Sequence, residues 1–184
     1  MARRTVVELS VLVAQRMGLD EHERNRVEVA ALMRDVGKIA IPRKILDKPG
    51  PLTDEEWTVM RTHTIHAQEF LDKAGGMLRE VAVIVRAVHE RWDGLGYPDG
   101  LSGPSIPLAA RIVSCCDAFT AMTTERPYGP PLSHEAALRE LVDNAGGQFD
   151  PHVVQTLIAV KRGPTAIGLP ALAHDAERLV TAAR

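Results

Sequence analysis

His89-Glu90-Arg91-Trp92-Asp93-Gly94-Leu95-Gly96-Tyr97-Pro98 is where this chain abandons a helical pattern, and that change decides how the rest is read. Over residues 91–107, Gly94, Gly96, Gly100 and Gly103 interleave with Pro98, Pro104 and Pro107. Glycine adds backbone entropy to the unfolded chain and proline removes an N–H donor, so neither a helix nor a central strand suits the stretch. A loop this long inside a compact domain is more often functional than a mere connector.

On both sides the period is helical. Val81, Ile84, Val85 and Val88 predict a helix over 77–90, and Gly75-Gly76 closes the one before it. That earlier helix is predicted from Thr53-Asp54-Glu55-Glu56, a capping box, to about residue 73. Pro42, Pro49, Gly50 and Pro51 mark an extended connection. Val6, Leu9, Val13 and Met17 predict a helix over 3–18. Val27, Ala30, Ala31 and Leu32 predict another over 23–36, ended by Gly37. Downstream, helices are expected at 107–122, at 133–145 with Ser133 as N-cap, and at 150–162 behind Asp150-Pro151. A last helix is expected over 170–183, with no convincing strand anywhere.

Composition agrees with an all-α fold. Aromatics are only 4% of the 184 residues, so the core must pack through Leu, Val and Ala rather than as a β-sandwich. A net charge of −2, with both signs well mixed, leaves no basic arm for nucleic acid. No run approaches the ~20 apolar residues of a membrane span, so no membrane insertion is expected. Cys115 and Cys116 are adjacent and unsuited to bonding each other. They read as small apolar groups in a buried helix, in a reducing cytoplasm.

Residues able to ligate a divalent metal are Asp35, His63, His66, His89, Glu90, Asp93 and Asp117, spread over several helices. Asp93, just before Gly94, also reads as a turn former. Lys38 suits the carbonyls ending helix 23–36 as well as it suits a phosphate. Trp57 and Trp92 read as core or rim residues, with nothing that makes either a stacking platform.

Four segments resemble, in order and spacing, the signatures of the HD superfamily of metal-dependent phosphohydrolases and its HD-GYP subfamily. Arg34-Asp35-Val36-Gly37-Lys38-Ile39 resembles the His-Asp signature, and His89 to Pro98 the second. Ala110-Arg111-Ile112-Val113 leading to Asp117, with Arg126-Pro127-Tyr128, is similar to the third, and Gly147-Gln148-Phe149-Asp150-Pro151 to the fourth. The resemblance implies an HD-GYP-like domain over 1–162; the C-terminal extension over 163–184 lies beyond it, and is expected to be helical and to pack on the core or join a homodimer.

It also implies roles. Asp35 matches the bridging carboxylate, and His63, His89 and Asp117 match further metal ligands. Lys38 and Asp35 match catalytic positions. Arg126 and the Gly96-Tyr97-Pro98 loop match substrate-side positions. The implied cofactor is a divalent metal, iron or manganese, and the implied substrate a cyclic dinucleotide such as cyclic di-GMP. The implied partners are an upstream sensory or receiver domain and signalling proteins.

Departures from the pattern are as informative. Arg34 stands where the family has a ligand histidine, Val88 where it has the first of a histidine pair, and Thr120 where an aspartate is usual. Arginine offers donors only, and valine no lone pair. The expectation is therefore an HD-GYP domain with lost or greatly reduced hydrolysis, kept as a binding, regulatory or dimerisation module. The alternative is an active phosphodiesterase with an incomplete or mononuclear site, with His66 as a substitute ligand. Arg34 is expected to lie between Asp35 and Asp117 as an internal counter-ion.

Overall fold

Helix starts in this chain follow local capping chemistry. The computed structural model describes residues 2–125 and 130–163, the side chains from residue 6 onward. Arg126 and the helix expected over 170–183 lie outside the described residues. The first two helices are α1 (Ala2–Arg16) and α2 (Glu21–Met33), followed by a 3-10 turn, Val36–Ala40, and the short α3 (Arg43–Leu46). Then come α4 (Asp54–Arg61), α5 (His63–Ala74) and α6 (Met77–Arg86). Beyond a 3-10 turn at Gly103–Ser105 lie α7 (Leu108–Thr123), α8 (His134–Asp143) and α9 (Pro151–Arg162). No strand occurs among the described residues, so the fold is all-α as expected.

Three expected caps form. Thr53 and Glu56 make the capping box of α4, Ser133 accepts from Ala136 N–H, and Asp150 accepts from His152 N–H. A fourth, Asp20 with Glu23, starts α2 two residues earlier than the apolar period indicates.

Three boundaries differ from the sequence reading. The helix expected over 53–73 is two helices broken at Thr62. There the backbone N–H turns to Val59 and Met60 carbonyls, and the hydroxyl donates to Val59 O at 2.7 Å, competing with the helical ladder. Helix 23–36 ends at Met33, leaving Arg34 and Asp35 at its mouth. Helix 77–90 ends at Arg86, so His89 sits in the following turn.

The core joins α1, α2, α5, α6, α7, α8 and α9. It is filled by side chains such as Val13, Val27, Leu71, Ile84, Ile112, Leu141 and Leu157, each at most 1% exposed. Burying each stabilises by roughly 1.5–3 kcal/mol. Alanines 30, 31, 67, 82 and 110 let the helices approach closely. Cys115 and Cys116 are buried free thiols inside α7, where burial raises both pKa values, that of Cys116 to about 12. No helix among the described residues is long and apolar enough to cross a membrane.

Loop 91–107 has one 3-10 turn and is otherwise irregular, yet it is tightly tied. Trp92 and Asp93 N–H donate to the carbonyls of Gln148 and Gly147, and Tyr97 N–H to that of His89. The buried Glu90 carboxylate accepts from Asp99 N–H at 2.7 Å and Leu101 N–H at 3.1 Å. Gly96 lies so close to Glu90 that an added Cβ would fall 2.5 Å from its Cα. Glu90→Ala strands two loop amides and is expected to cost about 2 kcal/mol in urea unfolding, with faster proteolysis inside 91–107. An unchanged cleavage rate would contradict this anchoring role.

Candidate functional site

Gly37 carries the first half of the site. A Cβ there would fall 1.8 Å from the His63 carbonyl oxygen and 2.6 Å from Ala67 N. Only glycine lets the turn Val36–Ala40 press on the α5 backbone, and this contact sets Asp35 and Lys38 beside His63. The loop supplies the other half. The Tyr97 ring stacks on His89 at 5.2 Å and 18°, while His89 meets His63 edge-on at 5.1 Å. The Arg61 guanidinium lies 5.4 Å from the Tyr97 ring centre. Tyr97 and Pro98 are joined by a cis peptide bond.

The charged half is an ion-pair chain. Arg34, 8% exposed, places Nε 2.8 Å from Asp117 Oδ1 and Nη2 3.4 Å from Asp35 Oδ2. Its Nη1 donates to the Ala31 carbonyl at 2.9 Å. Lys38 Nζ stands 2.7 Å from Asp35 Oδ1. Arg34 thus lies between the two carboxylates rather than pointing to solvent. Arg34, Asp117 and His89 share a cavity of about 200 Å³ with Val88, Val113, Ser114, Ala118 and Gln148.

The surroundings of His63 and His89 favour the neutral ring. His63 is buried, and its Nδ1 lies 2.7 Å from the Met60 carbonyl, which can only accept, so Nδ1 carries the proton. Nε2 then presents a lone pair, buried and without a hydrogen-bond partner. Burial, the largest cause, lowers the His63 pKa. Burial, then the neighbouring His63 and Lys38, lowers His89 from 6.5 to about 4. Burial also raises the Tyr97 phenol to about 12, so it stays protonated.

A depressed histidine pKa has a definite sign. Between pH 6.5 and about 4 the unfolded chain binds a proton at His89 that the folded chain refuses, so stability decreases as the pH is lowered through that window. By pH 4.5 the loss from this group should reach about 2.5 kcal/mol in urea unfolding. His89→Gln should flatten that slope, and an unchanged slope would contradict the assignment.

Not every residue singled out in the sequence converges here. Asp35, Lys38, His63, His89 and Tyr97 do, and Asp117 joins through Arg34. His66 lies one turn along α5, its side chain 40% exposed and 3.5 Å from Glu69. Glu90 and Asp93 are occupied by the loop, Asp93 pairing with Arg91 and accepting from Leu95 N–H. Val88 and Thr120 are buried, and Thr120 donates to Cys116 O. Arg61 and Ser114 carry no signal in the sequence, whereas Gln148 sits inside the fourth motif.

A divalent metal fits this donor set only in part. The His63 Nε2 lone pair suits a ligand, and its Nδ1–H to a backbone carbonyl is the usual support for one. Asp35 and Asp117, the carboxylates that would help to hold metal, are instead engaged by the Arg34 guanidinium. No group of three or more His, Cys, Asp or Glu among the described residues is placed to hold a metal. The residues present do not fit a two-metal centre.

The chain is 45% identical over 148 residues to the cyclic di-GMP phosphodiesterase response regulator RpfG of Xanthomonas campestris, covering 80% of this chain and 39% of that protein. It is 38% identical over 160 residues to a cyclic di-GMP phosphodiesterase of Thermotoga maritima, covering 86% of this chain and 44% of that one. The chain therefore spans less than half the length of these relatives. Bd1817, an HDG"Y"P protein from Bdellovibrio bacteriovorus, superposes with a TM-score of 0.69 at 22% identity, over 88% of this chain and 52% of that one, a likeness of fold. The HD domain family matches residues 1–153, spanning the Arg34-Asp35 turn, the histidine pair and the Tyr97 loop, and the chain belongs to that family.

Proposed function

We propose that this chain is an HD-GYP-type signalling domain that binds a cyclic dinucleotide and has lost most or all of its relatives' hydrolytic activity. One observation supports this: the Arg34 guanidinium lies 2.8 Å from Asp117 and 3.4 Å from Asp35. A guanidinium is a permanent cation with donors only. It neutralises the two carboxylates as a metal would, but it neither binds a water as a Lewis acid nor accepts its proton. A metal approaching within ~4 Å would also meet about 4 kcal/mol of repulsion per unit charge at the dielectric of a protein surface. In this reading the domain serves as a binding, regulatory or homodimerisation element for a sensory or receiver domain and its signalling partners.

Elemental analysis and calorimetry test the proposal together. Protein purified without chelator is expected to hold less than about half an equivalent of iron or manganese. It should bind cyclic di-GMP and leave it intact when either metal is added. Arg34→His is expected to raise the metal content. Robust turnover by the unmodified chain would overturn the reading.

The unpartnered Nε2 of His63 favours a second reading. There Asp35, His63 and His89, with His66 as a substitute, would hold a single divalent metal, which would supply a metal-activated water for residual hydrolysis. A full equivalent of tightly held metal, with turnover abolished by His63→Ala, would select it.

A further inference from the structure

We propose that the groove between α4 and the Gly96-Tyr97-Pro98 loop is a guanine-base subsite, an inference that rests on the cyclic-dinucleotide reading above. Asp54, Trp57, Thr58 and Arg61 of α4 line it together with Tyr97, around a volume of about 510 Å³. Their spacing of three, four and seven residues sets them on one helix face. The core makes little use of this helix. None of its residues is buried, and Trp57 is 45% exposed. A tryptophan left half in water on such a helix keeps a π-face open to a ligand.

Tyr97 is already held in place across the groove. Its ring stacks on His89, and Arg61 lies against it. Aromatic side chains bordering one groove suit a flat heterocycle. Arg61 adds a cation able to stack on that heterocycle or to meet a phosphate. Asp54 supplies two acceptors and no donor. Guanine presents two adjacent donors, N1–H and the N2 amino group, so a carboxylate satisfies both. Adenine offers a lone pair at N1 beside its N6 amino group, which would leave one carboxylate oxygen facing a lone pair. The groove therefore selects guanine over adenine. Because Tyr97 also touches the histidine pair, a base held here leaves its phosphate on the Lys38 and His89 side.

Cyclic di-GMP titrated into the full chain is expected to quench tryptophan fluorescence. Trp57→Phe should remove the quench while calorimetry still records binding. Trp57→Ala should weaken binding roughly tenfold or more. Asp54→Asn should narrow the preference for cyclic di-GMP over cyclic di-AMP by roughly tenfold. Both positions are exposed, so unchanged melting curves are expected and separate a lost contact from a lost fold. Intact wild-type binding with no change in affinity or preference in either variant would overturn the subsite while leaving the cyclic-dinucleotide reading in place. No binding of any cyclic dinucleotide by the wild-type chain would overturn both.

Discussion

Gly37→Ala is expected to destabilise the domain by about 3 kcal/mol or more, a fall in Tm on the order of 10 °C for a chain of this size. Two effects oppose each other. Replacing glycine narrows the unfolded ensemble and alone would add ~0.4–1 kcal/mol of stability. Against that, the new methyl would sit 1.8 Å from the His63 carbonyl oxygen and 2.6 Å from Ala67 N. Both are backbone atoms of α5, and no rotamer change relieves the overlap. The helix cannot simply retreat, because Ala67 and Leu71 are at most 1% exposed in the core. Overpacking usually costs ~1–3 kcal/mol, and a clash against backbone belongs at or above the top of that range, so the steric effect wins. The variant should also separate Asp35 and Lys38 from His63. Urea and thermal unfolding measure the cost, and a neutral or stabilised variant would show that the turn does not press on α5.

Arg34→Ala is expected to cost about 3 kcal/mol, the low end for breaking a buried ion pair. The arginine side chain is 9% exposed, and its loss leaves Asp117 and Asp35 facing each other across the space it filled. Two features keep the cost from being larger. The Asp117 side chain is 34% exposed and regains water, and Asp35 retains Lys38 at 2.7 Å. Arg34→Lys should fall between, since an ammonium keeps the charge but not the planar fork that reaches both carboxylates. A double-mutant cycle isolates the pair. In the Arg34→Ala background, Asp117→Asn should recover part of the loss, because it removes the uncompensated charge. Additive effects of the two substitutions would mean that the 2.8 Å contact contributes nothing to stability.

Some of this was open to a reader of the chain alone. The caps at Thr53, Ser133 and Asp150 are local events, settled by residues within three positions of each other, and they form as read. The capping pair Asp20 and Glu23 was equally legible but is masked by a polar first turn, so the apolar period starts α2 too late. The break at Thr62 was not legible. Residues 53–73 keep a continuous helical period, and α4 ends where the Thr62 N–H and hydroxyl both turn back to the carbonyls of the preceding turn. Trp57 was undecided between core and rim because periodicity does not say which neighbour a helix lacks.

By itself the sequence determined the all-α class, the helical segments, the long glycine- and proline-rich loop and the family signatures. Each of these rests on short-range hydrogen bonding, capping and periodicity. Only the tertiary structure decided what neutralises Asp35 and Asp117. Arg34 and Asp117 are 83 residues apart, and they meet because α2 packs on α7 through apolar surfaces that carry no information about charge. The sequence named Arg34 as a departure, and packing made it the counter-ion of the pocket.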